Sequence, residues 1–105
     1  MASAKEYLDF VLEQLSGLDE ISFRAMMGEY ILYYRKKVFG GIYDNRFLVK
    51  PTASAKALMP EALPELPYEG GSPMLPVENI EDREFLARLV DAMFDELPAP
   101  KKKKK

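Results

Sequence analysis

The sequence contains no histidine and no cysteine in its 105 residues. Without cysteine, the chain lacks disulfides, thiolate nucleophiles and structural zinc sites of the usual type. Without histidine, it lacks the commonest general base and the commonest metal ligand. A catalytic site would have to use carboxylates, tyrosines, lysines or serines alone, and no nucleophile–base constellation of these is visible. We therefore expect a protein that is not an enzyme and that uses no cofactor or metal.

Long apolar runs and a secretory signal are also missing. No stretch approaches the ~20 apolar residues that span a bilayer, and residues 1–16 are already charged and polar. The sequence therefore predicts a cytoplasmic protein with no membrane partner. Its length and its apolar content of 48% predict a single globular domain over residues 1–97. The Pro/Lys-rich tail, residues 98–105, has nothing to bury and should be disordered.

Basic residues are concentrated in the middle of the chain. Residues 24–56 carry seven Lys or Arg and two acids, which gives a net charge of +5. Residues 1–23 carry −4, residues 57–100 carry −8, and the last five lysines add +5. Positive charge should therefore lie on whatever structure the middle segment forms, with acidic elements on either side.

The N-terminal segment predicts a helix. Ser3 and Glu6 have the spacing of a capping box, and Gly17 is a plausible stop. Apolar residues recur between them at helical spacing, at Leu8, Val11, Leu12 and Leu15.

From Ile21 the apolar period changes to two, which indicates strands. Four short runs follow, and their sequences are ISFRAMM, EYILYYR, VFGGIY and RFLVKP. Gly28 indicates a bulge or tight bend, residues 35–37 a polar turn, and Asp44-Asn45 a hairpin turn. Strands so short and so closely joined must be antiparallel neighbours. The sequence predicts a β-meander in which Phe23 is buried beneath the helices.

The last third of the chain predicts two helices separated by a proline-rich segment. Thr52 or Ser54 caps a short helix that Pro60 ends. The proline-rich segment ends in PMLPV, a possible edge strand. Asn79 caps the last helix, which Pro98 ends. The buried stripe of that helix is Leu86, Leu89, Val90, Met93 and Leu97. The predicted class is α+β, an antiparallel meander of four to five strands with N-terminal, middle and C-terminal helices packed on it.

Two stretches carry a family resemblance, RAMMG at residues 24–28 and YEGGSPMLPV at residues 68–77. With the meander and the Asp-Arg-Glu start of the last helix, they resemble the TfoX N-terminal domain family over residues 7–97. That family occurs in bacterial competence regulators (TfoX/Sxy) and in small stand-alone proteins. The resemblance implies an antiparallel sheet flanked by helices and a role in regulating competence for DNA uptake through protein contacts. It supplies no catalytic residues.

The basic, aromatic meander is the candidate partner-binding site. Its cationic and aromatic side chains are Arg24, Tyr33, Arg35, Lys36, Lys37, Arg46 and Lys50. We favour a protein partner of acidic character, and the alternative is weak nucleic-acid binding by the sheet and the Lys tail. A single contiguous patch would support the nucleic-acid alternative, and scattering over both sheet faces would weaken it. The bland interpretation is that the tyrosines are core or rim and the cations lie in turns. The oligomeric state stays open.

The remaining motifs have structural interpretations. Glu29 is expected to pair with Arg24 or Arg35 across the sheet. The acidic residues 78–84 lack the loop spacing of a calcium site and begin a helix, where acids are favoured. The Gly-Gly pairs at 40–41 and 70–71 fit close packing and turns better than a phosphate-binding loop.

Both faces of the predicted sheet carry apolar residues. Ile31 and Tyr33 lie on the face opposite Tyr30, Leu32 and Tyr34. Helices can cover only one of these faces, so the other needs a loop, a second copy of the chain or a different partner.

Overall fold

A computed structural model describes residues 5–97. The elements in chain order are α1 (Lys5–Gln14), β1 (Ile21–Met26), β2 (Glu29–Tyr34), β3 (Lys37–Tyr43), β4 (Arg46–Val49), α2 (Ala53–Leu58), β5 (Leu75–Pro76), α3 (Arg83–Met93) and a C-terminal 3₁₀ turn (Phe94–Glu96). The predicted α+β class is confirmed. The expected capping box at Ser3, the stop at Pro98 and the disordered tail at 98–105 lie outside the described residues.

The five strands form one antiparallel sheet in the order β1-β2-β3-β4-β5. Its first three connections are two-residue hairpin turns, at Met27–Gly28, Arg35–Lys36 and Asp44–Asn45, and every residue in them has a positive φ. Positive φ at both positions defines the type I′ turn, whose twist matches that of paired strands. The predicted polar turn at 35–37 is therefore one residue shorter, and Lys37 is the first residue of β3.

A register shift separates the two halves of the β2–β3 ladder. Leu32 pairs with Gly40 and Tyr33 pairs with Val38, so Phe39 is an extra residue on β3. A Cβ on Gly40 would collide with the Leu48 carbonyl oxygen, and one on Gly41 would lie 2.6 Å from the Tyr30 carbonyl oxygen. The expectation that these glycines allow close backbone packing is confirmed.

The three helices cover one face of the sheet, which we call the inner face. Buried side chains of α1, α3 and this face form one core cluster. Those on the sheet include Leu32, Tyr34, Ile42, Phe47 and Val49. The predicted stripe of α3, from Leu86 to Leu97, is buried as expected. Tyr34 ties sheet to helix, because its hydroxyl donates to Asp91 Oδ1 at 3.2 Å.

The helix caps differ in part from those predicted. Thr52 caps α2, since its side chain accepts a hydrogen bond from the Ala55 amide. The cap of α3 is Asp82, whose carboxylate accepts from the Phe85 amide, so the prediction of Asn79 was wrong. Asn79 instead opens the preceding turn, in which its carbonyl accepts from the Asp82 amide.

β1 is an edge strand, and most of its residues are exposed. Phe23 pairs with Leu32 and therefore lies on the inner face, as predicted. Its side chain is nevertheless 44% exposed, whereas Leu32 is fully buried. The predicted burial of Phe23 was wrong because β1 is an edge strand, in which every residue from Ser22 to Met26 is exposed.

Candidate partner-binding site

The proline-rich segment covers half of the outer face, which is the face opposite the helices. Leu48 points to this face because it pairs with Gly41, and it is fully buried. Glu65 and Met74 form an isolated antiparallel bridge that closes the segment into a loop. The sequence left open whether a loop, a second copy of the chain or a different partner covers this face. For the β3–β4 half of the outer face, the cover is a loop.

Arg46 holds this loop in place. Its Nη1 donates to Glu65 Oε1 at 2.8 Å, and its Nη2 donates to the carbonyl oxygens of Leu66 and Pro67 at 3.1 and 3.3 Å. Its Nε donates to the Tyr43 carbonyl oxygen at 3.1 Å. The guanidinium fork thus binds four acceptors, three of which lie on the loop. Arg46 is engaged inside the fold and is not a free cation for a partner.

The β1–β2 half of the outer face carries an apolar cleft of about 470 Å³. We call this the outer cleft, and its lining is Met26, Met27, Glu29, Ile31, Tyr43 and Tyr68. Met27 is 96% exposed and Tyr68 is 58% exposed. Met27 also has a φ of 53°, a conformation that glycine or asparagine adopts more readily. A methionine held open to solvent at a strained position contributes little to the core.

Two aromatic rings form the wall between the loop and the outer cleft. The Tyr43 and Tyr68 ring centroids lie 5.9 Å apart. Burial raises the pKa of Tyr43, with smaller contributions from Tyr68 and from the Glu29 carboxylate. The Tyr43 hydroxyl therefore stays protonated at neutral pH and can donate to an acceptor. Glu29 accepts a hydrogen bond from the Asp44 amide at 3.1 Å, while Arg35, an expected partner, lies beyond the far end of β2.

The seven candidate residues do not form one patch. Arg24 pairs with Ile31 and Tyr33 pairs with Ser22, which places both candidates on the outer face beside the outer cleft. Lys37 lies on the inner face, where its Nζ donates to the Phe94 carbonyl oxygen at 3.1 Å and sits 4.2 Å from the Phe94 ring centroid.

The remaining candidates lie towards the opposite end of the sheet from the outer cleft. The Arg35 guanidinium carbon is 5.3 Å from the Tyr34 ring centroid and 6.0 Å from that of Phe94. Lys36 is exposed at the tip of the β2–β3 turn. Lys50 is half-buried next to β4, and its amide donates to the Phe39 carbonyl. The structure brings Arg24 and Tyr33 together with the outer cleft and separates them from the others.

Sequence reasoning missed the apolar part of this surface. Met26, Met27 and Tyr68 were not among the candidates, because the expected strand continued through Met27 and the loop had no predicted position. The signal that was present is a pair of methionines directly before a glycine, at a point where a two-residue turn needs residues with positive φ.

The described residues show no arrangement typical of a metal site or a membrane segment. Within residues 5–97, no group of three or more acidic residues is placed to hold a metal ion. None of the helices in that range combines the length and apolar character that crossing a bilayer requires.

The fold and the uncovered half of the outer face define a small α+β domain with an open sheet surface. The family model described as the TfoX N-terminal domain matches residues 13–96, so the chain belongs to that family. The predicted resemblance is confirmed. The chain is also 33% identical over 107 residues to an uncharacterized 12.7 kDa protein in the trpE 5′ region of Spirochaeta aurantia. That alignment covers 99% of this chain and 91% of the relative.

Proposed function

We propose that this domain is a non-enzymatic interaction module that binds an acidic protein segment through the outer cleft and Arg24. The carrying observation is Met27, an almost fully exposed methionine in a strained turn beside an apolar cleft. Strained residues and exposed apolar patches concentrate at binding surfaces. Methionine is common at surfaces that adapt to a partner, since its side chain is flexible and polarizable.

Charge selects the kind of partner. On the outer face, exposed Arg24 is flanked by Ile31 and by Met26, two residues along the same strand. A segment that places an apolar side chain in the outer cleft therefore meets a cation one side chain away. An acidic residue at that spacing would complement Arg24, and the protonated Tyr43 hydroxyl would donate to its carboxylate or backbone.

Lys36 extends the positive field. It lies in a type I′ turn with a φ of 73°, where glycine would be less strained. Two cations, Arg35 and Lys36, occupy this turn in place of the usual Asn-Gly. They lie towards the other end of the sheet from the outer cleft, so their effect on binding is through steering of an acidic partner and is sensitive to salt.

The regulatory role follows the family. Membership in the TfoX N-terminal domain family supports a regulator that acts through protein contacts, and regulation of competence in the cytoplasm is the form of that role we propose. Nucleic-acid binding is less favoured, since the basic candidates lie on both sheet faces and Arg46 is occupied by the loop.

The test is quantitative capture from a lysate of the source organism with the full chain as bait. Arg24→Glu should reduce recovery of a specific protein at least about threefold at low salt, with the loss shrinking as salt rises. Lys36→Glu should give a smaller loss of the same kind. Lys37 is not suitable for this test, because its reversal would disturb Phe94 inside the fold.

The matched control is Lys56→Glu, an exposed cation on α2 away from the sheet's outer face. Recovery unchanged by Arg24→Glu would overturn the proposal. Recovery that depends on Arg24 but disappears after nuclease treatment would assign the surface to nucleic acid instead.

A further inference from the structure

We propose that β1 is also a self-association edge, at which two copies of the chain pair their β1 strands antiparallel about a two-fold axis at Phe23. The partner at this surface is a second copy of the chain. The inference rests on the edge of the sheet and stands independently of the acidic partner proposed for its outer face.

Within the described part of the chain, no other strand pairs with the outer side of β1. β1 stands first in the strand order and has β2 as its sheet neighbour. Every residue from Ser22 to Met26 is exposed. No proline or β-bulge interrupts β1 and Arg24 is its one charge, so it has few of the features that usually block edge-to-edge pairing.

The hairpin turn determines which backbone groups point outward. In a two-residue hairpin, the residues that flank the turn exchange hydrogen bonds, and the pairs alternate from there. Met26 and Glu29 flank this turn, so Arg24–Ile31 and Ser22–Tyr33 are also hydrogen-bonded pairs. The amides and carbonyls of Ile21, Phe23 and Ala25 therefore point away from β2, towards the open edge.

One register satisfies these outward groups best. When Phe23 faces Phe23 of the second copy, Ile21 faces Ala25 and Ser22 faces Arg24. This register forms about six backbone hydrogen bonds between the copies. A shift of two residues would set Arg24 against Arg24 at the closer, non-hydrogen-bonded spacing, where like charges repel. The sequence of β1 therefore complements itself in one register and opposes the next.

Phe23 supplies the apolar contact at the two-fold axis. Its ring is 44% exposed and already packs edge-to-face on Tyr30, with centroids 5.9 Å apart. Beside it runs a groove of about 590 Å³ between the end of α1 and β1, whose apolar lining is Leu12, Leu15, Leu18, Ile21 and Phe23. The Phe23 ring of the second copy lies next to this groove in the proposed register and buries apolar surface that the monomer leaves exposed.

Pairing would also join the two outer faces. The sheet becomes continuous across the axis, and Arg24 of each copy lies opposite Ser22 of the other. The outer face of each copy, which carries its outer cleft, is therefore enlarged by the outer face of the other copy. The contact consists of one short strand from each copy and a single Phe23–Phe23 pair at the axis, so we expect a weak dimer with a dissociation constant in the micromolar range.

Sedimentation velocity of the full chain over about 5–500 µM tests the edge. The wild type should pass from monomer to dimer within that range. Ala25→Pro removes one outward amide without touching the β1–β2 ladder, and should weaken the dimer at least about tenfold. Phe23→Asp sets two carboxylates face to face at the axis and should do the same.

Ser22→Asp is the matched control, because the same charge placed one residue earlier faces Arg24 of the second copy. It should leave the dimer intact or strengthen it. Circular dichroism at low concentration checks that every variant keeps the monomer fold. A wild type that stays monomeric throughout, or a dimer that Ala25→Pro and Phe23→Asp leave unchanged, overturns the inference.

Arg24→Glu separates this inference from the proposed function. It faces Ser22 in the dimer, so self-association should persist, while capture of the acidic partner should fall. A wild type that dimerises but captures no partner, or an Arg24→Glu variant that captures it as well as the wild type, would sink only the proposed function. Partner capture by a strictly monomeric chain would sink only the edge.

Discussion

At the scale of single residues, two side chains hold in place segments that secondary-structure propensity alone would not position. Arg46 binds three acceptors on the proline-rich loop, and Glu96 accepts from both the amide and the hydroxyl of Ser54, at 2.9 and 2.7 Å. The first fixes the loop over Leu48, and the second fixes the C-terminal 3₁₀ turn to the start of α2. Both act by satisfying several donors or acceptors at once.

Arg46→Lys should lower the free energy of unfolding by about 1–2 kcal/mol, since an ammonium cannot reproduce the fork that spans Glu65, Leu66 and Pro67. Hydrogen exchange should accelerate at the Glu65 and Met74 amides of the loop bridge. Arg88→Lys, on the exposed side of α3, is the control. Unchanged stability and exchange in Arg46→Lys would show that the loop holds itself in place.

Glu96 should make stability depend on acid. Its hydrogen bonds from Ser54 lower the pKa of the Glu96 carboxyl below its ordinary value of 4.5. A lowered folded-state pKa means that the contribution is present above the unfolded-state pKa and is lost as pH falls through the folded-state one. As the pH is lowered from about 5 to 3, the free energy of unfolding should therefore fall less in Glu96→Gln than in the wild type. Parallel stability curves from urea unfolding across this range would contradict the assignment.

At the scale of elements, the three hairpin turns contain residues whose backbone conformation is strained because they have a side chain. Among residues 5–97, six non-glycine residues have positive φ, and five of them lie in the three turns. Each such residue costs about 1–2 kcal/mol relative to a residue without a Cβ. The burial of large apolar side chains of β2, β3 and β4 on the inner face offsets this strain.

Lys36→Gly should raise the free energy of unfolding by roughly 0.5–1 kcal/mol, because glycine relieves the strain at a φ of 73°. The urea midpoint is the measurement. Ala57→Gly, at an exposed position in α2, should lower stability by a similar amount and checks the sign. Loss of stability in Lys36→Gly would mean that the lysine side chain itself supports the turn.

The elements that the sequence predicts correctly are those that the apolar spacing within one segment determines. Period-two runs gave the four-strand meander, and the stripe from Leu86 to Leu97 gave α3, because apolar spacing reports directly which face is buried. The exposure of Phe23 was not predictable from alternation alone, because alternation identifies the face on which a side chain lies and not whether that face is covered at the edge strand. Asp82 and Asn79 both have the chemistry of a cap, and residue type alone does not show that Asp82 is the one that caps α3.

The candidate site was likewise predicted only where local sequence determines it. Arg24 and Tyr33 were identified from composition and lie beside the outer cleft. The outer cleft itself forms between the β1–β2 turn and the proline-rich loop, which are about 40 residues apart, and no periodic pattern connects such segments. Arg46 was assigned to the surface because a single sequence does not show that a loop 20 residues later bends back to bind it.

At the scale of the whole molecule, the sheet formed by residues 5–97 has one covered face, one half-covered face and an exposed edge strand, β1. The helices fill the inner face, and the proline-rich loop fills the β3–β4 half of the outer face. The exposed large apolar side chains of the described residues are Phe23 at the edge, Met26, Met27 and Tyr68 at the outer cleft, and Leu63 and Leu66 on the proline-rich loop. Four of these six side chains lie on β1 or at the outer cleft beside it.

The most direct test of the central claim is site-specific photo-crosslinking in living cells of the source organism. A benzophenone amino acid replaces Met27 in the outer cleft or, as the control, Arg88 on α3. We predict a light-dependent protein adduct of defined mass from position 27 but not from position 88, and its loss when Arg24→Glu is added. Equal adducts at both positions, or an adduct from position 27 that Arg24→Glu leaves unchanged, would contradict binding of an acidic segment at the outer cleft.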